Sequence, residues 1–248
     1  MTLIKSVSGI RGTIGGQAGD ALTPEDIVRI TAAYAQRIKN NNLTQTVIVG
    51  RDGRISGEMV KSLVIGALLG SGMNVIDLDF STTPTVEMAV EMEKAGGGII
   101  ITASHNPKQW NALKLLNEKG EFLTAEQGEE VLKIADKGKI DYEKVENLGT
   151  VTSRQDYIDK HIEKILALPL VEAAAVKAAK FKVVIDCINS TGSIAVPALL
   201  KALGVKHVYE LYCTVDGKFA HNPEPLPENL NALSNEVKFR KAHLGIAV

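Results

Sequence analysis

Two stretches of this chain, residues 46–78 and 181–212, run through the same order: an apolar strand, a polar loop with glycine, a helix, a glycine and a second strand. No other feature restricts the fold as much. A helix that joins two parallel strands must cross over, and such crossovers are right-handed and lay the helix on the sheet. In the first stretch, Thr46-Val47-Ile48-Val49-Gly50 predicts a strand, about Gly57 to Leu69 a helix, and Met73–Leu78 the next strand. In the second, Phe181–Ile185, Ser193–Leu203 and Lys206–Tyr212 repeat that order. At this level any two β-α-β units look alike, so an internal repeat and a chance likeness both stay open.

The remaining segments fit a layered α/β fold. Thr23-Pro24-Glu25-Asp26 is a strong helix start: threonine caps, proline suits the first helical position, and acids favour the first turn. That helix should reach Lys39 and stop in Asn40-Asn41-Asn42. Thr83-Pro84-Thr85 opens another, which ends before Gly96-Gly97-Gly98. Ala112–Leu116 and Glu121–Leu123 can pair across the Glu118-Lys119-Gly120 turn. Thr124 and Gln127 have capping-box spacing for a helix toward Lys137. Residues 138–153 are polar and weakly patterned, which places a boundary between domains 1–150 and 151–248. Helices are expected over Arg154–Leu168 and in the alanine-rich segment 171–180. With 248 residues, two ordinary domains are reasonable.

Composition narrows the partners. Aromatics are 4% and net charge is −1 without a long basic run, which argues against a nucleic-acid surface. No run approaches the ~20 apolar residues of a membrane span. The amino terminus lacks a signal peptide's apolar region, so a cytoplasmic protein is expected. Cys187 and Cys213 read as free thiols, and no Cys/His spacing suggests zinc. An anionic small molecule needs only a local cluster of cations.

The chemistry centres on Thr102-Ala103-Ser104-His105-Asn106-Pro107. The apolar run Ile99-Ile100-Ile101 before it is short enough for a buried strand. Ser104 thus falls in a loop past a strand's carboxyl end, where open α/β sheets place ligands. Lys114 follows ten residues later. A serine after a strand is ordinarily a turn or cap residue, and a lysine on a half-buried strand ordinarily faces solvent.

The stretch resembles the phosphoserine loop of the α-D-phosphohexomutases, the superfamily of phosphoglucomutase, phosphomannomutase and phosphoglucosamine mutase. Ser8-Gly9-Ile10-Arg11-Gly12 resembles its amino-terminal arginine loop, and Val49-Gly50-Arg51-Asp52-Gly53-Arg54-Ile55-Ser56-Gly57 is similar to its Gly-Arg-Asp motif. Val184–Ser190 looks like the strand and loop that open its second domain. Asp216-Gly217-Lys218-Phe219, followed by Pro223–Leu230, matches a later loop of that domain. The order agrees from about residue 5 to the end. The resemblance implies two consecutive related α/β domains, each a mixed, mostly parallel sheet layered with helices, the second incomplete.

It also implies roles. Ser104 carries the phosphoryl group, passes it to a hydroxyl of a hexose phosphate, and recovers the opposite phosphoryl from a sugar bisphosphate. The net result is migration between positions 6 and 1. Lys114 is then a general acid/base or electrostatic clamp, Arg11 a phosphate grip, and His105 a donor to phosphate or an orienter of the loop. Asn111 is expected to bind substrate or phosphate, or to support Lys114 by hydrogen bonding. Ala112 stands where the family pattern has glycine. Arg51, Asp52, Arg54, Asp216 and Lys218 read as loop architecture. One Mg2+ per site is implied, met here only through the Ser104 phosphoryl group, with hexose 1,6-bisphosphate as activator. The family's Asp-x-Asp-x-Asp-Arg metal loop does not occur in this sequence. The chain is therefore expected to be the amino-terminal half of a longer mutase, with little turnover alone. The expected partner is a small hexose phosphate, with neither nucleic acid nor membrane. Gly-Ile-Arg-Gly leans toward phosphoglucosamine mutase; phosphoglucomutase/phosphomannomutase is the alternative, and a non-catalytic sugar-phosphate-binding remnant is the reading from another class.

Overall fold

A computed structural model describes residues 1–6 and 9–248. Ser8, the first residue of the amino-terminal motif, lies outside the described residues. The chain divides into two units. The first comprises Met1–Asp52, Ser56–Ala103 and Gln109–Tyr157, and the second Gly53–Ile55, Ser104–Lys108 and Ile158–Val248.

The first unit holds β1 (Ile4–Ser6), β2 (Gly9–Thr13), α1 (Pro24–Asn40), β3 (Thr46–Arg51), α2 (Gly57–Gly70), β4 (Asn74–Phe80), α3 (Thr83–Glu93), β5 (Gly97–Ile101), β6 (Trp110–Leu116), α4 (Ala125–Lys137) and β7 (Val151–Ser153). Its seven-stranded sheet has the order β1-β2-β6-β5-β3-β4-β7. β3 lies parallel to β4 and β5, and β4 parallel to β7; β6 is antiparallel to β5 and β2. Its central strands β3, β5 and β6 are buried on both faces, while the edge strands β1 and β7 are exposed. Val47, Val49, Ile99, Ile101, Leu113 and Leu115 point into a core with Ile27, Tyr34 and Val64. Ile48, Ile100 and Leu116 point the other way, onto Val86, Ala89 and Val90 of α3. This explains why β5 reads as an unbroken apolar run.

Local chemistry sets the helix ends. Thr23 and Asp26 form a capping box on α1, with Pro24 in the first turn, and Thr124 and Gln127 form one on α4. α3 is capped by Thr82, one residue earlier than the sequence suggests, because its hydroxyl accepts from the Thr85 amide. The expected 112–116/121–123 hairpin is reduced to one bridge, Leu116 to Phe122, because β5 and β2 occupy both sides of β6. The division after Tyr157 falls later than residue 150, because Val151–Ser153 pairs with β4.

α5 (Tyr157–Leu166) spans the division. It is shorter than the 154–168 expected, as Arg154 and Asp156 pair with each other just before it. The second unit continues with α6 (Ala173–Ala179), β8 (Lys182–Asp186), α7 (Gly192–Ala202), β9 (His207–Leu211), α8 (Asn231–Arg240) and β10 (Leu244–Ala247). Its sheet, in the order β10-β8-β9, is wholly parallel. Val183, Ile185, Cys187 and Leu200 form its core. Among the described residues no helix is long and apolar enough to cross a membrane.

Candidate active site

In the first unit, sheet register brings two of the expected cations together. Arg11 pairs with Ala112, and Lys114 pairs with Gly9 on β2 and Ile100 on β5. Directly opposed residues share a face, so Arg11 and Lys114 leave the sheet on the same side; diagonal neighbours of this kind stand about 7–8 Å apart. Gly9 makes the close pairing possible: its φ is +134°, and a Cβ there would lie 1.9 Å from the Leu113 carbonyl oxygen. Arg11 is exposed and Lys114 half-buried. The Lys114 ammonium stands 5.7 Å from the centre of the Phe122 ring. Glu87 on α3 also feels its charge: burial pushes the Glu87 carboxyl above its ordinary range, and Lys114 opposes that rise.

Asn111 lies on the opposite face, fully buried. Its amide donates to Ser56 Oγ at 2.9 Å, and its Oδ1 accepts from the Ala112 amide at 2.8 Å. The hydrogen bond expected from Asn111 to Lys114 is replaced by these two, because successive residues of a strand face opposite ways and an offset of three puts the two side chains on opposite faces.

The Gly-Arg-Asp motif is engaged in loop architecture. Arg51 pairs with Asp79 at 2.7 Å and Glu58 at 3.1 Å, and its guanidinium stacks 3.9 Å above Phe80. Burial alone would raise the Asp79 carboxyl, but hydrogen bonds from Lys61 and Arg51 hold it below the ordinary range. Asp52 accepts from the Thr102 hydroxyl at 2.6 Å.

Ser104 and His105 belong to the second unit, and both are exposed. Ser104 has φ +55°, a left-handed conformation that few non-glycine residues adopt. Arg54, 2% exposed, donates to the carbonyl oxygens of Ser104 at 2.7 Å, Asn106 at 2.8 Å and Pro107 at 2.9 Å. Asn106 and Pro107 thus serve the loop through their backbone carbonyls. His105 Nε2 lies 3.5 Å from Glu224, a carboxylate between two prolines of the Pro223–Leu230 loop, to which sequence alone assigns no role. Nearby, His221 bridges the buried Asp186 at 2.9 Å and the Asn222 carbonyl at 2.8 Å, which pins the start of the Glu224 loop to the end of β8. Asp216 accepts from the Lys218 amide at 2.9 Å, as a loop-shaping residue should.

The described residues hold no group of three or more His, Cys, Asp or Glu side chains placed to bind a metal.

Residues 3–141 match the family model for phosphoglucomutase/phosphomannomutase alpha/beta/alpha domain I, and residues 155–248 match alpha/beta/alpha domain II. The chain belongs to the phosphoglucomutase/phosphomannomutase family. It is 37% identical over 240 residues to a phosphoglucomutase/phosphomannomutase of Thermococcus kodakarensis, covering 95% of this chain and 52% of that protein. It is 32% identical to a phosphoglucosamine/phosphogalactosamine mutase of Sulfurisphaera tokodaii, covering 96% and 51%. The chain therefore spans about half the length of the curated relatives it matches. A crystal structure of a Burkholderia thailandensis phosphoglucomutase/phosphomannomutase family protein shares the fold, with TM-score 0.75 and 23% identity over 98% of this chain and 52% of that one.

Proposed function

We propose that Ser104 is a phosphoryl carrier in an intramolecular phosphotransfer on a hexose or hexosamine phosphate. The supporting observation is the loop itself. Ser104 is exposed, held at φ +55°, and followed by three carbonyls fixed by one buried guanidinium. Backbone outliers of this kind cluster where a group must be pre-set for chemistry.

In the forward step a sugar hydroxyl oxygen bonds to phosphorus, the bond from phosphorus to Ser104 Oγ breaks, and the hydroxyl proton leaves to a base. The resulting sugar bisphosphate returns its other phosphoryl group to Ser104 Oγ, so the phosphate moves between positions 6 and 1 without net phosphate consumption. Such transfers depend on positioning and charge stabilisation. Arg11 supplies a bidentate phosphate grip. Lys114, with Glu87 as a carboxylate neighbour, is assigned as the general acid/base that takes up that proton, or as an electrostatic clamp on the phosphoryl group. His105 is assigned to contact the phosphoryl oxygens. The Gly-Ile-Arg-Gly sequence at residues 9–12 supports a hexosamine phosphate over a plain hexose phosphate.

The competing reading is a non-catalytic sugar-phosphate binder. The lack of a metal-binding cluster among the described residues favours it for this chain acting alone. One experiment separates the two: intact mass and peptide mapping before and after incubation with a hexose 1,6-bisphosphate and magnesium. The carrier reading expects one phosphoryl group on Ser104 and none on Ser104→Ala. A folded chain that binds the bisphosphate and leaves Ser104 unmodified supports the binder instead. Multiple turnover by this chain, in a coupled assay, would overturn the expectation that it is inactive alone.

A further inference from the structure

We propose that Arg54 is a positioning residue for Ser104, and that the loop organised by Asn189 holds Arg54 in place. The proposal deepens the carrier reading and rests on it for its kinetic part.

Three carbonyls of one short loop converge on the Arg54 guanidinium, from Ser104, Asn106 and Pro107. Only a planar fork with several donors can serve them together; an ammonium is a point charge with a different geometry. The bond to the Ser104 carbonyl restrains the peptide plane that follows the serine. With φ already at +55°, this sets the direction in which the serine side chain leaves the backbone.

Arg54 is in turn held by residues more than a hundred positions later in the chain. The Gly53 amide donates to Ser190 Oγ at 2.9 Å. Gly217, at φ +67°, lies so near Gly53 that a Cβ would stand 2.1 Å from the Gly53 carbonyl oxygen. The Arg54 guanidinium lies 5.1 Å from the centre of the Phe219 ring. Asn189 organises this loop at three points. Its Oδ1 accepts from the Thr214 amide at 3.1 Å, its Nδ2 donates to the Lys218 carbonyl at 2.9 Å, and its own carbonyl accepts from the Gly217 amide at 3.0 Å. Asn189 itself has φ +56°, which asparagine tolerates better than most side chains. The connection runs from Asn189 to the 214–219 loop, then to Gly53 and Arg54, then to the backbone of Ser104. All these residues belong to the second unit.

The test uses the whole chain as wild type, Arg54→Lys and Asn189→Ala. Hydrogen-exchange mass spectrometry should show amides of residues 104–108 exchanging about tenfold faster or more in both variants, while β5 and β8 keep their protection. Phosphoryl loading of Ser104 from hexose 1,6-bisphosphate should fall about 100-fold at saturation, with the half-saturating concentration moving less than about threefold. That split separates misplacement of a bound reactant from loss of binding. Unchanged exchange at 104–108 in both variants overturns the proposal. Equal loss of protection in β5 and β8 also overturns it, because it makes Arg54 a general stability element. If Arg54→Lys does not fold, Asn189→Ala decides, since its side chain is partly exposed. If wild-type Ser104 takes up no phosphoryl group, the carrier reading falls, and the exchange result still decides the anchor.

Discussion

The two cations and the serine are positioned by different means. Arg11 and Lys114 sit on neighbouring strands, where ladder register alone fixes the face they share. Ser104 sits on a loop, where a left-handed backbone and a distant arginine fix its place. A strand position survives the loss of any one side-chain contact, because many backbone hydrogen bonds define it. A loop position depends on a few bonds from elsewhere in the chain, so it is more sensitive to single substitutions.

The largest effect should come from the loop. Ser104→Ala is expected to abolish phosphoryl incorporation, while urea denaturation moves by less than about 0.5 kcal/mol, since the residue is exposed. A large stability loss would show that the serine belongs to the fold rather than the chemistry.

Leu113→Ala attacks the strand side. The residue is fully buried on β6 between the two cation positions, so its truncation should cost about 2–5 kcal/mol in urea denaturation. Retention of near-normal Ser104 loading in that variant, at a temperature where it stays folded, would demonstrate how robust strand placement is. A neutral stability result would put β6 outside the core.

Lys114→Met removes charge and keeps length. Loading should fall about 100-fold to 1,000-fold, the range for loss of one electrostatic contact to a developing charge. The measured melting temperature should change little. Equal loading rates in variant and wild type would remove Lys114 from the site.

The smallest effect concerns pH. Asp79 has its carboxyl held below the unfolded value by Lys61 and Arg51. Its stabilisation is therefore present above the unfolded carboxylate range, near pH 4, and is lost as pH falls through the folded value. Asp79→Asn should cost about 1 kcal/mol at neutral pH, kept small by solvent screening, and the gap to wild type should close in acid. A gap that stays constant with pH would mean that the cost does not come from the charge of Asp79, since asparagine adopts its left-handed backbone at φ +50° as readily.

Much of the fold was legible because its signals are local. Thr23-Pro24-Glu25-Asp26 and Thr124 with Gln127 announce helices through bonds made within one turn. Val47–Val49 and Ile99–Ile101 announce buried strands by composition. β1 and β7, at three residues each, carry no such signal and exist because a neighbouring strand offers an edge. Ser104, Lys114 and Arg11 stood out through their motifs, whereas Glu87 lies in none and Glu224 lies in one without an evident role, since each acquires its neighbour only through folding. Asn111 shows the same limit from the other side: three positions from Lys114 on a strand, it faces the opposite way.

By itself, the amino-acid sequence determined the family and most of the longer helices and strands, and it singled out Ser104, Lys114 and Arg11 as candidate site residues. Those follow from patterns within a few positions, where capping, periodicity and turn chemistry act. Tertiary structure alone decided that Arg54 serves three backbone carbonyls, that Asn111 turns to Ser56, and that Asn189 braces the loop beside Gly53. Each of these depends on groups separated by at least 25 positions. Hydrogen bonds and close packing act through space, and only the folded chain brings such groups within reach.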